Sequence, residues 1–210
     1  MPRAKRYDRR YYERFYRDRT TRVLTPAERR LRVAAVVALA EHHLGRRLRS
    51  ALDVGCGAGL WGRELVRLRP RLRYLGLEPS PAAVALAPRR LAVRRAGLAD
   101  LGSLGRGRYD LVICADVLHY LDADAVRAAL PALVARARGP LYLEVLTAAE
   151  AVEGDRGGLR RRPPAWYLAL FARAGLRPAG LHLYLPEALA EPASALELAR
   201  AGGRRRRAPD

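Results

Sequence analysis

The chain has 210 residues, half of them hydrophobic, enough to bury one ordinary core without disulfides or metal. Forty basic residues against 21 acidic give a net charge of +19, and every basic residue except Lys5 is an arginine. The longest apolar run, VAAVVALA at 33–40, is too short for a bilayer span of about 20 residues, and the charged N-terminus lacks a signal peptide's apolar stretch. Two cysteines, Cys56 and Cys114, make neither a disulfide framework nor a metal-ligand cluster. The expectation is a soluble, cytoplasmic protein with no metal and no membrane contact. The arginine excess sits mainly on the two ends: residues 1–49 hold 15 basic and five acidic side chains, residues 151–210 hold 11 and six. A basic surface attracts nucleic acid or anionic substrates, yet abundant Arg, Ala, Leu, Gly and Pro together are also what a GC-rich coding sequence yields.

In chain order, residues 3–22 alternate Arg with Tyr7, Tyr11, Tyr12, Phe15 and Tyr16. Pairs four apart stack on one helical face, which suits a docking stripe or a lid carrying an arginine such as Arg22. Thr25-Pro26-Ala27-Glu28 reads as a helix start, with the helix running through LRVAAVVALAEHHL to Gly45. Short β-like runs then alternate with helical stretches. Strands are expected at 50–55 (SALDVG), 73–78 (RYLGLE), 91–96 (LAVRRA), 109–115 (YDLVICA), 139–146 (GPLYLEVL) and 180–185 (GLHLYL). Helices are expected at 60–68, 80–89, 122–137 and 164–174. This alternation predicts a three-layer αβα sandwich around a mainly parallel, Rossmann-like sheet of six to seven strands. The division is an N-terminal helical extension over 1–49, a core domain over 50–199 and a basic tail over 200–210. EALAEPASALELARA reads as helical, which leaves the seventh strand unassigned.

Ligands of such sheets bind beyond the C-terminal strand ends, so polar residues there are the candidates. The first strand ends in Asp53-Val54-Gly55-Cys56-Gly57-Ala58-Gly59, glycines that let the backbone turn tightly against a ligand. The second ends in Glu78-Pro79, placed for a carboxylate to accept both ribose hydroxyls of a nucleoside cofactor. Asp100 lies in GLADL after the third, and Ala115-Asp116-Val117-Leu118-His119-Tyr120 follows the fourth. Two cofactor readings compete, a dinucleotide and S-adenosylmethionine (SAM). The dinucleotide pattern G-x-G-x-x-G requires a glycine at position 60, which is Leu60; the spacing found is G-x-G-x-G. SAM has no pyrophosphate to cradle, and its ammonium suits an acid on the first strand.

LDVGCGAG, YLGLEPS, GLADL and YDLVICADVLHYL together resemble the motifs of the class I SAM-dependent methyltransferases, over about 50–146 and more loosely to 185. The resemblance implies SAM as cofactor, S-adenosylhomocysteine (SAH) as product and a seven-stranded sheet. It places Asp53, Gly55, Cys56, Gly57, Gly59, Glu78, Pro79, Leu98, Asp100, Leu101, Ala115 and Asp116 against SAM. Within that set Glu78 meets the ribose, Asp100 the adenine amino group between Leu98 and Leu101, and Ala115 and Asp116 the methionine part. The Asn/Asp-Pro-Pro-Tyr signature of many enzymes that methylate base or glutamine amino groups is absent: the positions hold Cys114-Ala115-Asp116-Val117. The expected acceptor is the O or N atom of a small molecule, with His119 or Tyr120 as the catalytic side chain. RNA methylation through the arginine surface, or SAM binding without catalysis, are the alternatives. The loop EAVEGDRGGLRRRPPAWY, with Arg160–Arg162, is expected to border the acceptor.

Overall fold

The computed structural model describes residues 24–105, 107–151 and 157–190. The aromatic stripe at 7–16, Arg22 and the basic tail expected from the sequence lie outside them. The first described helix, α1 (Pro26–Leu44), starts as its sequence demands. Thr25 Oγ1 accepts the Glu28 N–H at 3.2 Å, and the Glu28 carboxylate accepts the Thr25 N–H at 2.7 Å. Gly45, left-handed at φ 63°, ends it. Val33, Val36, Val37 and Ala40 form its buried face, at the i, i+3, i+4, i+7 spacing of a core-facing helix.

The chain then runs β1 (Ser50–Val54), α2 (Leu60–Leu68), β2 (Arg73–Leu77), α3 (Pro81–Leu86) and β3 (Val93–Arg94). A 3-10 turn over Leu98–Ser103 leads to β4 (Leu111–Ala115), and a second over Leu118–Tyr120 to α4 (Ala123–Ala135). After these come β5 (Leu141–Glu144), α5 (Pro164–Arg173), β6 (Leu176–Pro178), β7 (Leu183–Pro186) and α6 (Glu187–Ala190). The sheet order is β3-β2-β1-β4-β5-β7-β6, and β7 alone runs opposite to the other strands. The order reverses between β1 and β4, which makes the crevice at their C-terminal ends the binding position.

The two halves of the core follow from strand alternation. Ala51, Leu111, Ile113 and Tyr142 face α1 and α2, where Val33, Val36, Val37 and Leu65 meet them. Leu52, Val54, Val112, Cys114, Leu141 and Leu143 face the opposite layer of α4 and α5. Helix α1 is thus part of one layer of the sandwich rather than an appendage to it.

The end of the sheet corrects the sequence reading. The strand expected at 180–185 is β7 at Leu183–Pro186, the last strand, and its hairpin partner β6 lies before it at Leu176–Pro178. β6 has three residues and ends in proline, so it carries almost no periodic signal. Residues 180–182 form the turn between them, with Gly180, Leu181 and His182 all at positive φ. GLADL is a 3-10 turn instead of a loop. At the N-terminal ends of the central strands β1 and β4, the buried Asp110 carboxylate accepts the backbone N–H of Arg49 and Ser50 and pairs with Arg46 and Arg138. No described helix is long and apolar enough to cross a membrane.

Candidate functional site

The turn after β1 is shaped by three glycines in left-handed conformations, Gly55 at φ 76°, Gly57 at 54° and Gly59 at 70°. A Cβ on Gly55 would lie 2.3 Å from Val117 Cγ2, so the turn sits directly against the segment after β4. Its N–H groups are spent inside the protein. Gly55 and Cys56 donate to the Leu77 carbonyl at 2.8 and 3.1 Å, Gly59 to the Cys56 carbonyl at 3.0 Å, and Gly57 to Glu78 Oε2 at 2.9 Å. A pyrophosphate needs such N–H groups free and pointing at it. This turn therefore lacks the phosphate cradle of a dinucleotide site at those four positions, and the carboxylate latched to it would repel the anion.

Glu78 is buried and held at both oxygens, Oε2 by Gly57 and Oε1 by the Ser80 N–H at 2.8 Å. Burial pushes its pKa up, and the two N–H donors pull it back. A carboxylate has about four acceptor positions, so two remain for a pair of hydroxyls. Gly97 packs beside Pro79, a Cβ there falling 3.9 Å from Pro79 Cβ, which brings the 98–103 turn to the same end. Asp100 is exposed and caps that turn, its Oδ2 accepting the Gly97 N–H at 2.8 Å. Leu101 is fully buried and Leu98 partly so. Glu78, Pro79, Leu98 and Asp100 are thus gathered at one end, the arrangement a nucleoside needs.

Asp53 lies under the turn, buried, with Oδ2 accepting the Tyr74 hydroxyl at 2.8 Å. Gly62 and Gly76 make room for that ring: a Cβ on either would come within 3.0 Å of it or its hydroxyl. Burial raises the Asp53 pKa to about 7, the Tyr74 bond opposes the rise, and the Glu78 charge adds to it. Cys56 packs in the same place, its Sγ 2.7 Å from where a Gly76 Cβ would be, and burial drives its thiol well above the ordinary range. It fills space. A buried acid held near neutrality with a second acid nearby favours a cation, and SAM carries both an ammonium and a sulfonium; the residues fit that cofactor.

At the end of β4, Ala115 is half-buried and Asp116 adopts φ 58°. Asp116 keeps contact with solvent while protein surrounds much of its carboxylate. Burial and then Glu144 push its pKa up, and Arg32 draws it down. Its N–H donates to the Glu144 carbonyl at 3.0 Å, tying the ends of β4 and β5. Glu144 pairs with Arg32 of α1 and accepts the Tyr142 hydroxyl at 2.8 Å, and the Tyr142 ring lies 4.6 Å from that of Trp61. The sequence reading passed over Arg32, Trp61, Tyr74, Tyr142 and Glu144. Glu144 carried the same signal as Glu78, an acid closing a buried strand; the others declare themselves only through the fold.

His119 is fully buried, and its Nδ1 accepts the Leu146 N–H at 3.0 Å. Its carbonyl accepts the Arg160 N–H at 2.9 Å. Both bonds tie the turn after β4 to the segment after β5, and the first uses the ring's Nδ1 as an acceptor. Tyr120, half-buried, stands 4.4 Å from the His119 ring. In the loop after β5, Arg161 donates to the carbonyls of Ala148 and Glu150, and Arg162 to the Leu121 carbonyl and the Tyr167 hydroxyl. Two of the three arginines expected to border an acceptor thus hold the loop in place.

A family model described as a methyltransferase domain matches residues 52–138. No curated protein sequence matches the chain. Among solved structures, the plantazolicin methyltransferase BamL aligns at TM-score 0.64 with 15% identity, over 82% of this chain and 70% of that one. The sugar N-methyltransferase KedS8 from a Streptoalloteichus species aligns at 0.56 with 24% identity, over 69% and 78%. An O-methyltransferase family protein from Burkholderia thailandensis aligns at 0.56 with 17% identity, over 76% of this chain but 56% of its own length. The matched segment runs from β1 past α4 and holds the glycine turn, Glu78 and Asp116, inside the mainly parallel sheet. Over residues 52–138 the chain is thus similar to a methyltransferase domain, and its sheet has the fold of the class I SAM-dependent methyltransferases.

Proposed function

We propose that the chain binds SAM across the C-terminal ends of β2, β1 and β4 and transfers its methyl group to an O or N atom of a small molecule held beyond β4 and β5. The observation that carries the cofactor reading is the spent N–H set of the glycine turn, latched to a Glu78 that keeps room for two hydroxyls. SAM, when bound, supplies a methyl group already activated by its sulfonium, so the protein's task is alignment and exclusion of water. Glu78 orients the ribose, Asp53 faces the ammonium, and the 98–103 turn borders the adenine. An acceptor of modest size is favoured by the walls around the far end: Arg32–Glu144 on one side, and on the other the 146–162 segment fastened to His119. KedS8 and the Burkholderia protein are described as N- and O-methyltransferases, which supports either acceptor atom.

His119 is assigned a positioning role here, because the nitrogen that would take a proton is already accepting one from Leu146. Asp116, at the mouth and raised in pKa, is the group placed to receive the acceptor's proton. The test is SAH release, followed by mass spectrometry, with panels of hydroxyl and amine acceptors. Acceptor-dependent SAH with a product heavier by one methylene supports the proposal; SAM binding without release across both panels opposes it.

A further inference from the structure

The open edge of the sheet, at β3, carries a feature the site does not use. Arg71, Arg73, Arg89, Arg90, Arg94 and Arg95 are all exposed there, and among the described residues none of these guanidiniums forms an ion pair or hydrogen bond. The neighbouring arginines are engaged: Arg63 and Arg67 with Glu64, Arg69 with Glu41. Residues 60–98 contain only two acids, Glu64 and Glu78, and both are buried. Over residues 60–98 the exposed charge is therefore all of one sign, and the next exposed acid in the chain is Asp100. Arg94 lies in β3, in register with Leu77, and Arg89 and Arg90 lie in the turn that leads into that strand.

Charge on an edge strand also blocks edge-to-edge pairing, but a mixed or brief charge suffices for that. Six unpaired guanidiniums offer planar, paired donors matched to phosphate oxygens. None of the large exposed hydrophobics among the described residues lies on this edge; they are Leu31, Leu168 and Leu181. A membrane surface would want such apolar anchors, so the chemistry favours a polyanion in water. We propose that this edge is a docking surface for the phosphodiester backbone of single-stranded nucleic acid. It lies on the β2–β3 flank, whereas the acceptor end lies at β4 and β5, so docking and methyl transfer occupy different parts of the sheet. The proposal is independent of which molecule accepts the methyl group.

The experiment uses the full chain and a fluorescein-labelled single-stranded RNA of about 20 nucleotides, with DNA of the same sequence alongside, read by anisotropy across a salt series. Three proteins are compared: wild type, the variant R89A/R90A/R94A/R95A, and a tail variant R204A/R205A/R206A/R207A. Melting temperature and SAH affinity confirm that each is folded. The edge variant is expected to bind roughly tenfold or more weakly at low salt, with a log K against log salt slope shallower by about 3, near 0.7 per lost phosphate contact. The tail variant keeps the larger part of the affinity. Tighter binding of RNA than DNA identifies RNA as the source of the phosphates, and equal binding assigns the shared backbone. Absence of binding at low salt, an edge variant indistinguishable from wild type, or capture only by phosphatidylserine vesicles would overturn the proposal.

Discussion

Glu78 and Gly57 stand 21 positions apart in sequence and 2.9 Å apart in space, the carboxylate accepting the glycine N–H. That bond joins the end of β2 to the turn after β1, and a second from Ser80 fixes the other oxygen. One side chain thus does two things. It closes the turn against a phosphate, and it presents a pre-oriented acceptor to a pair of hydroxyls.

Asp53 predicts a pH dependence of both stability and cofactor affinity. Its pKa in the folded chain, about 7, lies above the ordinary aspartate value of about 3.8, so the folded state retains a proton there that the unfolded chain loses. Its contribution to stability therefore falls as pH rises from about 4 to about 7, and changes little above that. Asp53→Asn removes the fall, so its melting temperature relative to wild type rises over this window. An ammonium facing Asp53 favours the carboxylate, so wild-type SAM affinity should rise with pH to about 7 and that of Asp53→Asn should stay flat. Calorimetry at pH 5.5, 6.5 and 7.5 checks both.

Tyr74→Phe removes the donor that holds the buried Asp53 carboxylate. A buried acceptor left without its partner costs about 1–3 kcal/mol. Denaturant unfolding at pH 8 should show that loss, and a smaller one at pH 5, where the acid is protonated.

Much of this was legible in the sequence, and the reasons are local. The capping box of Thr25 and Glu28, the apolar strands β1, β2, β4 and β5, and the glycine spacing each announce themselves within a few residues. Glu78 and Asp53 are readable because a strand end is a fixed address in this fold class. Tyr74 and Arg32 are not, since their partners lie at Asp53 and Glu144 across the chain. β6 was missed because three residues ending in proline have no period to detect. The role of His119 is not legible in the sequence, because a histidine after β4 looks the same there whether its ring meets a ligand or the Leu146 N–H.

His119→Ala should lower stability by about 1–3 kcal/mol through the unsatisfied Leu146 N–H, whereas His119→Asn, with an amide oxygen near the Nδ1 position, should restore most of it. A pin predicts that SAM-dependent turnover tracks this recovery. Turnover abolished equally in both variants, with folding intact in His119→Asn, would reinstate His119 as the base.

Gly139 marks the closest backbone approach away from the site: a Cβ there would lie 1.9 Å from the Asp110 carbonyl oxygen. Gly139→Ala should destabilise by about 1–3 kcal/mol through overpacking. Gly102→Ala, with nothing within 4 Å, should be nearly neutral in the same thermal melts.

Asp110 sets the acid limit. The Arg46 bond and the backbone N–H groups hold its pKa down to about 2 despite burial. A depressed carboxylate contributes fully above its unfolded pKa, near 4, and loses that contribution as pH falls toward 2. Asp110→Asn should therefore be less stable than wild type at pH 7, with the gap closing between pH 4 and 2.

The central claim is that Glu78 and the glycine turn hold SAM, and calorimetric titration of the nucleic-acid-free protein tests it most directly. Wild type should bind SAM and SAH saturably and NAD not at all, and Glu78→Ala should lose about 1.5–3 kcal/mol of SAM affinity while remaining folded. Equal SAM affinity in wild type and Glu78→Ala, or saturable binding of NAD in place of SAM, would contradict it.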